Sequence, residues 1–252
     1  METIPRYTQG YGKGSGKKYD KKINNKFELF IWNLEKHILT KIRKNNFKTT
    51  KNKKHLDFAC GTGRVIKHLE KNFENQTGID TSKYMVEEAK KKTKKAKYVV
   101  GNILDKKLTK QKFDLITSFR LFLNLDKEFR VPILKELRTH LKYDGLLVVN
   151  NHMNRYSLLG IQFFLRKKLL GQGRDKKGKK GVINTMSEYE FRKHLNEAGF
   201  KVEEVYRFTL LPGRNNCILL PEKILEKVEL FLSKIPILNL IGKDQIYVCT
   251  RK

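Results

Sequence analysis

The sequence predicts an α/β protein built on a doubly wound, mostly parallel sheet of seven strands, with helical insertions. Three observations carry this expectation. From about residue 54 onward, short apolar runs of strand length alternate with amphipathic helical patterns, which is how a parallel sheet with crossover helices is written. The turn after the first of these runs is rich in small residues and opens at once into a helical pattern. Two apolar stretches break the alternation after strands, where α/β proteins build the walls of their sites.

Taken in chain order, residues 1–25 read as a flexible N-terminal segment, because Gly10, Gly12, Gly14 and Gly16 alternate with Tyr, Lys and Ser and such a run buries too little to fold alone. A helix follows over 25–44, where Phe27, Phe30, Ile31, Leu34, Ile38 and Ile42 recur at three- and four-residue steps and form one apolar stripe. Residues 45–54 are a polar linker. Strands are expected at 55–60, 76–80, 98–101, 113–118 and 146–151, with helices at 64–73, 82–92 and 127–142 between them. Ser187 and Glu190 have capping-box spacing at the head of a last helix that Gly199 ends. Strands at 201–210 and 245–250 complete the seven. The insertions cover about 153–183 and 212–242. The first joins an apolar segment, 156–170, to the basic loop GQGRDKKGKKG; the second carries Ile224, Leu225, Val228, Phe231, Leu232 and Ile235. Residues 26–252 thus read as a single domain with two insertions.

Composition bounds the rest. A chain of 252 residues with 39% hydrophobic content can bury one full core. Its longest apolar stretches, 158–165 and 235–241, fall short of the roughly 20 residues a membrane span needs. Residues 1–22 lack the apolar stretch of a signal peptide. Cys60, Cys217 and Cys249 are far apart and odd in number, which fits neither a disulfide framework nor a zinc site and points to a reducing cytoplasm. A net charge of +29 and a pI near 10.0 would suit RNA or an anionic membrane. The lysines, however, recur along the whole chain and outnumber arginine, the residue better suited to forked phosphate contacts. A solvated lysine-rich surface is therefore favoured over a dedicated nucleic-acid footprint.

The most informative segment is HLDFACGTGR, residues 55–64. Small residues at Ala59, Gly61 and Gly63 let the backbone approach a ligand, and the N–H groups at a helix start favour its anionic or polar parts. Asp80 ends the next strand, where a carboxylate can accept hydrogen bonds from both ribose hydroxyls of an adenosine. Asn102, in VVGNILD, ends the third strand, where an amide can meet an adenine edge.

The runs LDFACGTGR, GIDTSKYM, VVGNILD, FDLITSFR and LKYDGLLVVNNH occur in the order and spacing of class I S-adenosylmethionine (SAM)-dependent methyltransferases, which the chain resembles over 54–151. MSEYEFRKHLNEAGFKVEEVY resembles the family's closing helix and strand. An NAD-type Rossmann domain shares the glycine turn and the acidic residue, but it would be expected to show G-x-G-x-x-G where this turn offers A-x-G-x-G. The resemblance implies a Rossmann-like methyltransferase fold whose insertions form a substrate cap, with SAM as cofactor and S-adenosylhomocysteine (SAH) as product. By matching position, Asp57, Ala59, Gly61 and Gly63 would line the methionine part, with Asp57 acting on its amino group directly or through water. Asp80 would hold the ribose, Met85 would pack on the adenine, Asn102 and Ile103 would bound its other side, and Ser118 would sit beside the sulfonium. Family members often fold a tyrosine-bearing N-terminal segment over the cofactor, and Tyr19 in GSGKKYDKK would supply it; the same residues read equally as a disordered tail. Ala59 stands where glycine is commonest, which is tolerable if its φ is negative.

Transfer requires an acceptor held in line with the sulfonium and, where needed, deprotonated. Asn150, Asn151, His152 and Asn154 cluster after the fifth strand, and Phe119, Arg120 and Asn124 follow the fourth. His152 and Arg120 are the catalytic candidates, His152 either as general base or as a hydrogen-bonded strand-end residue. The chain has no N/D-P-P-Y/F run after the fourth strand, no Pro-Cys pair and no run of acidic residues at the strand ends. These absences favour metal-independent transfer to O or N of a small-molecule or sugar-type acceptor. The alternatives are an RNA methyltransferase, a lipid-linked acceptor reached by peripheral membrane contact of the apolar insertions, and a non-catalytic SAM-binding protein.

Overall fold

A computed structural model describes residues 12–105, 111–169, 185–211, 213 and 215–252. The basic loop 171–181, the start of the N-terminal segment and the lysines of 106–110 and 176–180 lie outside these residues.

The chain runs α1 (Ser15–Ile23), α2 (Lys26–Asn46), β1 (Lys54–Phe58), α3 (Arg64–Leu69), β2 (Asn75–Asp80), α4 (Lys83–Lys92), β3 (Lys97–Val100), β4 (Phe113–Ser118), α5 (Lys127–His140) and β5 (Leu141–Asn151). It continues through α6 (Leu158–Leu169), α7 (Glu188–Glu197), β6 (Phe200–Phe208), α8 (Glu222–Leu232), α9 (Pro236–Asn239) and β7 (Asp244–Arg251). The seven strands form one sheet in the order β3-β2-β1-β4-β5-β7-β6. β1 to β5 pair in parallel, whereas β7 runs antiparallel between β5 and β6. Strand order reverses between β1 and β4, so the crevice at their carboxyl ends is the natural ligand position.

Alternation along the strands divides the core in two. Leu56, Phe58, Ile116 and Val149 pack with α5 and α7 through Leu137 and Phe191. Leu115, Val148 and Ile246 pack with α2 through Phe30, Ile31 and Leu34. Two caps fix helix starts near the crevice. Asn25 Oδ1 accepts from Glu28 N, and Ser82 Oγ accepts from Met85 N; each such cap contributes about 0.5–2 kcal/mol. The capping box expected at Ser187 and Glu190 is present at the head of α7.

Two expectations need correction. Part of the segment expected to be flexible is helix α1, held by tertiary contacts. A Cβ on the buried Gly16 would lie 2.7 Å from Tyr84 O of α4, so only glycine permits that approach. Asp20 Oδ1 also accepts from Thr62 Oγ1 at 2.7 Å, and its Oδ2 lies 2.5 Å from Lys92 Nζ. The fifth strand begins at Leu141 and not at 146, because Leu141 pairs with Phe113 across an irregularity in the ladder. Gly145 makes this possible, since a Cβ there would meet the Leu141 side chain at 2.8 Å.

Candidate active site

The turn from β1 to α3 forms the floor of a cleft lined by Asp57, Ala59, Cys60, Gly61, Thr62, Arg64 and Val65, with Tyr19 of α1 and Phe119 on its walls. Four of the predicted site residues, Tyr19, Asp57, Ala59 and Gly61, therefore meet in one place. Asp80 adjoins them, because its Oδ2 accepts from Gly61 N at 2.8 Å while Oδ1 accepts from Ser82 N at 2.9 Å. Burial raises the Asp80 pKa, opposed by these two N–H donors. Gly61 has open space where a Cβ would stand, as a ligand-facing position requires. Gly63 has another reason to be glycine: its φ is +78°, and a Cβ would lie 2.9 Å from the Tyr98 hydroxyl.

Ala59 corrects an assumption, since its φ is +55° and not negative. A left-handed alanine costs roughly 1–2 kcal/mol, of which about 0.5–1 kcal/mol is offset in a glycine variant by the extra entropy of the unfolded chain. Ala59→Gly should consequently be neutral or stabilising by up to about 1.5 kcal/mol in urea denaturation. A clear loss of stability would show that the alanine methyl makes contacts worth more than the strain.

Asp57 is buried and accepts from Thr117 Oγ1 at 2.7 Å. Burial pushes its pKa up to about 7, against the Thr117 hydrogen bond and the charge of Arg64, while Asp80 adds to the rise. Thr117 shares a strand face with Asp57; Ser118 points the other way, is fully buried, does not line the cleft, and its Oγ has no hydrogen-bond partner among the described residues. Met85 and Ile103 are buried, Asn102 Oδ1 accepts from Leu104 N, and none of the three lines the cleft.

Beside the cleft, beneath α2, lies a polar cluster around Arg120, reached from the cleft by Arg64, whose Nη2 is 3.8 Å from Glu35 Oε2. Arg120, whose φ is +61°, places Nη1 2.5 Å from Glu28 Oε2 and Nη2 3.8 Å from the fully buried Glu35. Its backbone N–H donates to Asn150 Oδ1, and Asn150 Nδ2 donates to Glu35 Oε1. Burial acts to lower the Arg120 pKa, but Glu35 and Glu28 outweigh it and raise it. The guanidinium thus faces two carboxylates of its own chain.

His152 lies at the end of β5 with Nδ1 2.5 Å from Asp244 Oδ1, and Asp244 Oδ2 is 3.0 Å from Lys243 Nζ. Burial is the main influence on His152 and lowers its pKa; Asp244 opposes the shift. Burial would raise the Asp244 pKa, but His152 and Lys243 outweigh it and hold the carboxyl well below the usual range. With Nδ1 turned to that carboxylate, a neutral imidazole would carry its proton on Nδ1 and leave Nε2 as the acceptor; neither His152 nor Asp244 lines the cleft.

Sequence reasoning missed Glu28, Glu35, Thr117 and Asp244. A signal existed for two of them: Glu28 and Glu35 are a heptad apart within the apolar stripe of α2, so both face inward. Among the described residues no group of three His, Cys, Asp or Glu could hold a metal ion, and no helix is long and apolar enough to cross a membrane.

A family model described as "Methyltransferase domain" matches residues 56–149. A demethylmenaquinone methyltransferase from Thermotoga maritima is 37% identical over 98 residues, which are 38% of this chain and 42% of that protein. The ubiquinone/menaquinone biosynthesis C-methyltransferase UbiE of Campylobacter jejuni is 28% identical over 178 residues, covering 63% of this chain and 75% of that one. Among solved structures, magnesium protoporphyrin IX methyltransferase from Synechocystis with bound SAH has a TM-score of 0.64 at 12% identity over 96% of both chains. At that identity the likeness establishes the fold.

Proposed function

Because the chain belongs to the class I SAM-dependent methyltransferases, we propose that it methylates a small-molecule acceptor whose hydroxyl must be ionised for transfer, with His152 as the general base. The observation that carries this reading is the His152–Asp244 pair at the end of β5, with Nδ1 2.5 Å from Asp244 Oδ1. A neutral amine is already nucleophilic, so an oriented base has its use when oxygen holds the proton. The methyl then goes to that oxygen, or to a ring carbon activated by it. The names of the Thermotoga and Campylobacter relatives, methyltransferases of demethylmenaquinone and of quinone biosynthesis, favour a hydroxylated ring and lend support to the carbon.

SAM, when bound, supplies the electrophilic methyl. The residues present suit it: Gly61 leaves room at the loop, Asp80 offers two carboxylate oxygens at the end of β2, and the buried Asp57 carboxyl calls for a cationic partner. Asp57, Ala59, Gly61 and Gly63 are assigned to the methionine part and Asp80 to the ribose, with Met85, Asn102, Ile103 and Ser118 completing the pocket. Arg120, held by Glu28 and Glu35, has a positioning role, fixing Phe119 at the cleft. Helix α1 acts as a lid over residues 26–252, tied by Asp20 to Thr62 and bringing Tyr19 to the cleft. Transfer proceeds without a metal, and the free thiols of Cys60, Cys217 and Cys249 suit a reducing cytoplasm.

Asp57 gives this reading a pH signature. With a pKa raised to about 7, the free protein holds a proton there that an arriving ammonium group displaces. SAM affinity should therefore rise between pH 5 and 7, by up to about tenfold per unit, with proton release visible by calorimetry in buffers of different ionisation heat. The same shift makes the free protein lose stability as pH rises through 7, because the folded state binds the proton more tightly than the unfolded chain. Asp57→Asn should flatten the pH dependence; a flat profile in the parent would contradict the assignment. The acceptor class is tested by incubation with methyl-labelled SAM. Phenolic or hydroquinone acceptors should be labelled, and exclusive labelling of amines would refute the reading.

A further inference from the structure

Helix α6 and the α8–α9 segment expose large apolar side chains. Leu158 is 65% exposed, Leu169 77%, Phe231 66% and Ile237 80%, and Ile161, Phe164, Leu165, Ile224 and Leu240 are also exposed. Single exposed apolar residues are ordinary, but a concentration of them marks an interaction surface. The two elements adjoin. Asn154 Nδ2 donates to the carbonyls of Leu240 and Gly242, and Asn154 N donates to Lys243 O. The start of α6 thus lies against the end of α9, and this junction directly follows His152 and directly precedes Asp244. The exposed apolar surface therefore flanks the acceptor side of the site.

Charge on these elements is sorted by face. On α8 and just beyond it, Lys223, Lys227 and Lys234 are exposed beside Ile224 and Phe231, and Lys168 is exposed beside Leu165 and Leu169 on α6. The acidic side chains of α8 are engaged by the fold: Glu222 and Glu226 accept from Asn33 Nδ2, and the buried Glu229 accepts from the N–H groups of Leu210 and Leu211. What faces solvent is apolar and positive. That combination complements an anionic bilayer, where apolar side chains enter the acyl boundary and lysines meet headgroups. A nucleic acid would instead be met by polar and arginine-rich surface.

We propose that α6 and the α8–α9 segment dock this protein on an anionic lipid bilayer, so that an acceptor carried in the membrane is presented to the His152 side. Only the second clause rests on the proposed function; docking itself does not depend on the chemistry.

The test is cosedimentation with vesicles, using the full chain with SAM affinity as the check on folding. Vesicles of phosphatidylglycerol mixed with phosphatidylcholine should bind the parent at least about tenfold more tightly than pure phosphatidylcholine, and added salt should weaken the binding. The combined variant Leu158→Asp, Leu169→Asp, Phe231→Asp and Ile237→Asp should lose at least about tenfold in vesicle affinity while binding SAM as the parent does. Should that variant misfold, Lys223→Gln with Lys227→Gln and Lys234→Gln should still weaken vesicle binding several-fold. His152→Ala should bind vesicles normally, so a failed catalytic assignment would leave this result standing. Failure of the parent to bind anionic vesicles, or variants that bind as the parent does, would overturn the proposal. So would full competition by soluble glycerophosphate, RNA binding in place of vesicle binding, or a parent dimer that the apolar substitutions dissociate.

Discussion

Replacing Asp80 by alanine should weaken SAM and SAH binding by a factor on the order of 10²–10⁴, because two charge-assisted hydrogen bonds to a ribose are worth roughly 1.5–3 kcal/mol each. The structure adds a second contribution to the loss. Asp80 also accepts from Gly61 N and Ser82 N, so alanine frees the β1–α3 loop and the head of α4 as well as removing the ribose partner. Asp80→Asn keeps an acceptor oxygen for one of these donors and should fall between parent and alanine. Calorimetric titration, with thermal unfolding as the control for folding, decides the matter. A folded Asp80→Ala protein that binds SAM as tightly as the parent would remove Asp80 from the cofactor site.

His152→Ala should lower turnover by about 10²–10⁴-fold, the usual contribution of a positioned base, while SAM affinity stays within about twofold of the parent, since the proposed cofactor residues lie on β1 and β2. The pH profile carries a further sign. His152 acts when neutral, and burial holds its pKa below the ordinary histidine value, so kcat should rise with pH along a limb lying below about 6.5 and be flat at neutrality. Asp244 is the partner that raises this pKa. Asp244→Asn should therefore move the limb to still lower pH and reduce kcat, since a weaker base remains. Unchanged turnover in His152→Ala would leave the residue as a structural strand end and imply that positioning alone carries the transfer.

How much of this was legible before the fold was known differs by element, for physical reasons. The strand at 113–118 was readable residue for residue because Phe113, Leu115 and Ile116 form a short apolar run of strand length between polar flanks, and the strand is buried along its whole length. The capping box of α7 is a purely local signal and was equally plain. Helix α1 was not, because its composition argues against a helix and tertiary contacts, Gly16 on α4 and Asp20 on Thr62 and Lys92, hold it. The Ala59 conformation was misjudged: its φ is positive, which an alanine adopts with strain.

The β1–α3 cleft was legible in part: Asp57, Ala59 and Gly61 meet there because they follow one another at the end of β1, whereas Met85, Asn102, Ile103 and Ser118 do not line it. The acceptor side was not, because it depends on pairing between distant segments. β7 inserts antiparallel beside β5 with Asn151 opposite Gln245, and one further step along that register brings His152 to Asp244. Nothing local to residues 244–251 announces that placement. Glu28 and Glu35 were legible in principle as two carboxylates inside an apolar stripe, but their partner, Arg120, comes from the turn after β4.

The central claim is that one cleft holds SAM with its transferable methyl directed toward the His152–Asp244 pair. A crystal structure of the complex with SAH tests this most directly. The account predicts both ribose hydroxyls on the Asp80 carboxylate, the amino group on or one water from Asp57, and the sulfur on the side of the cleft facing His152. SAH bound with its sulfur directed away from His152, or with Asp80 making no contact to the ribose, would contradict it.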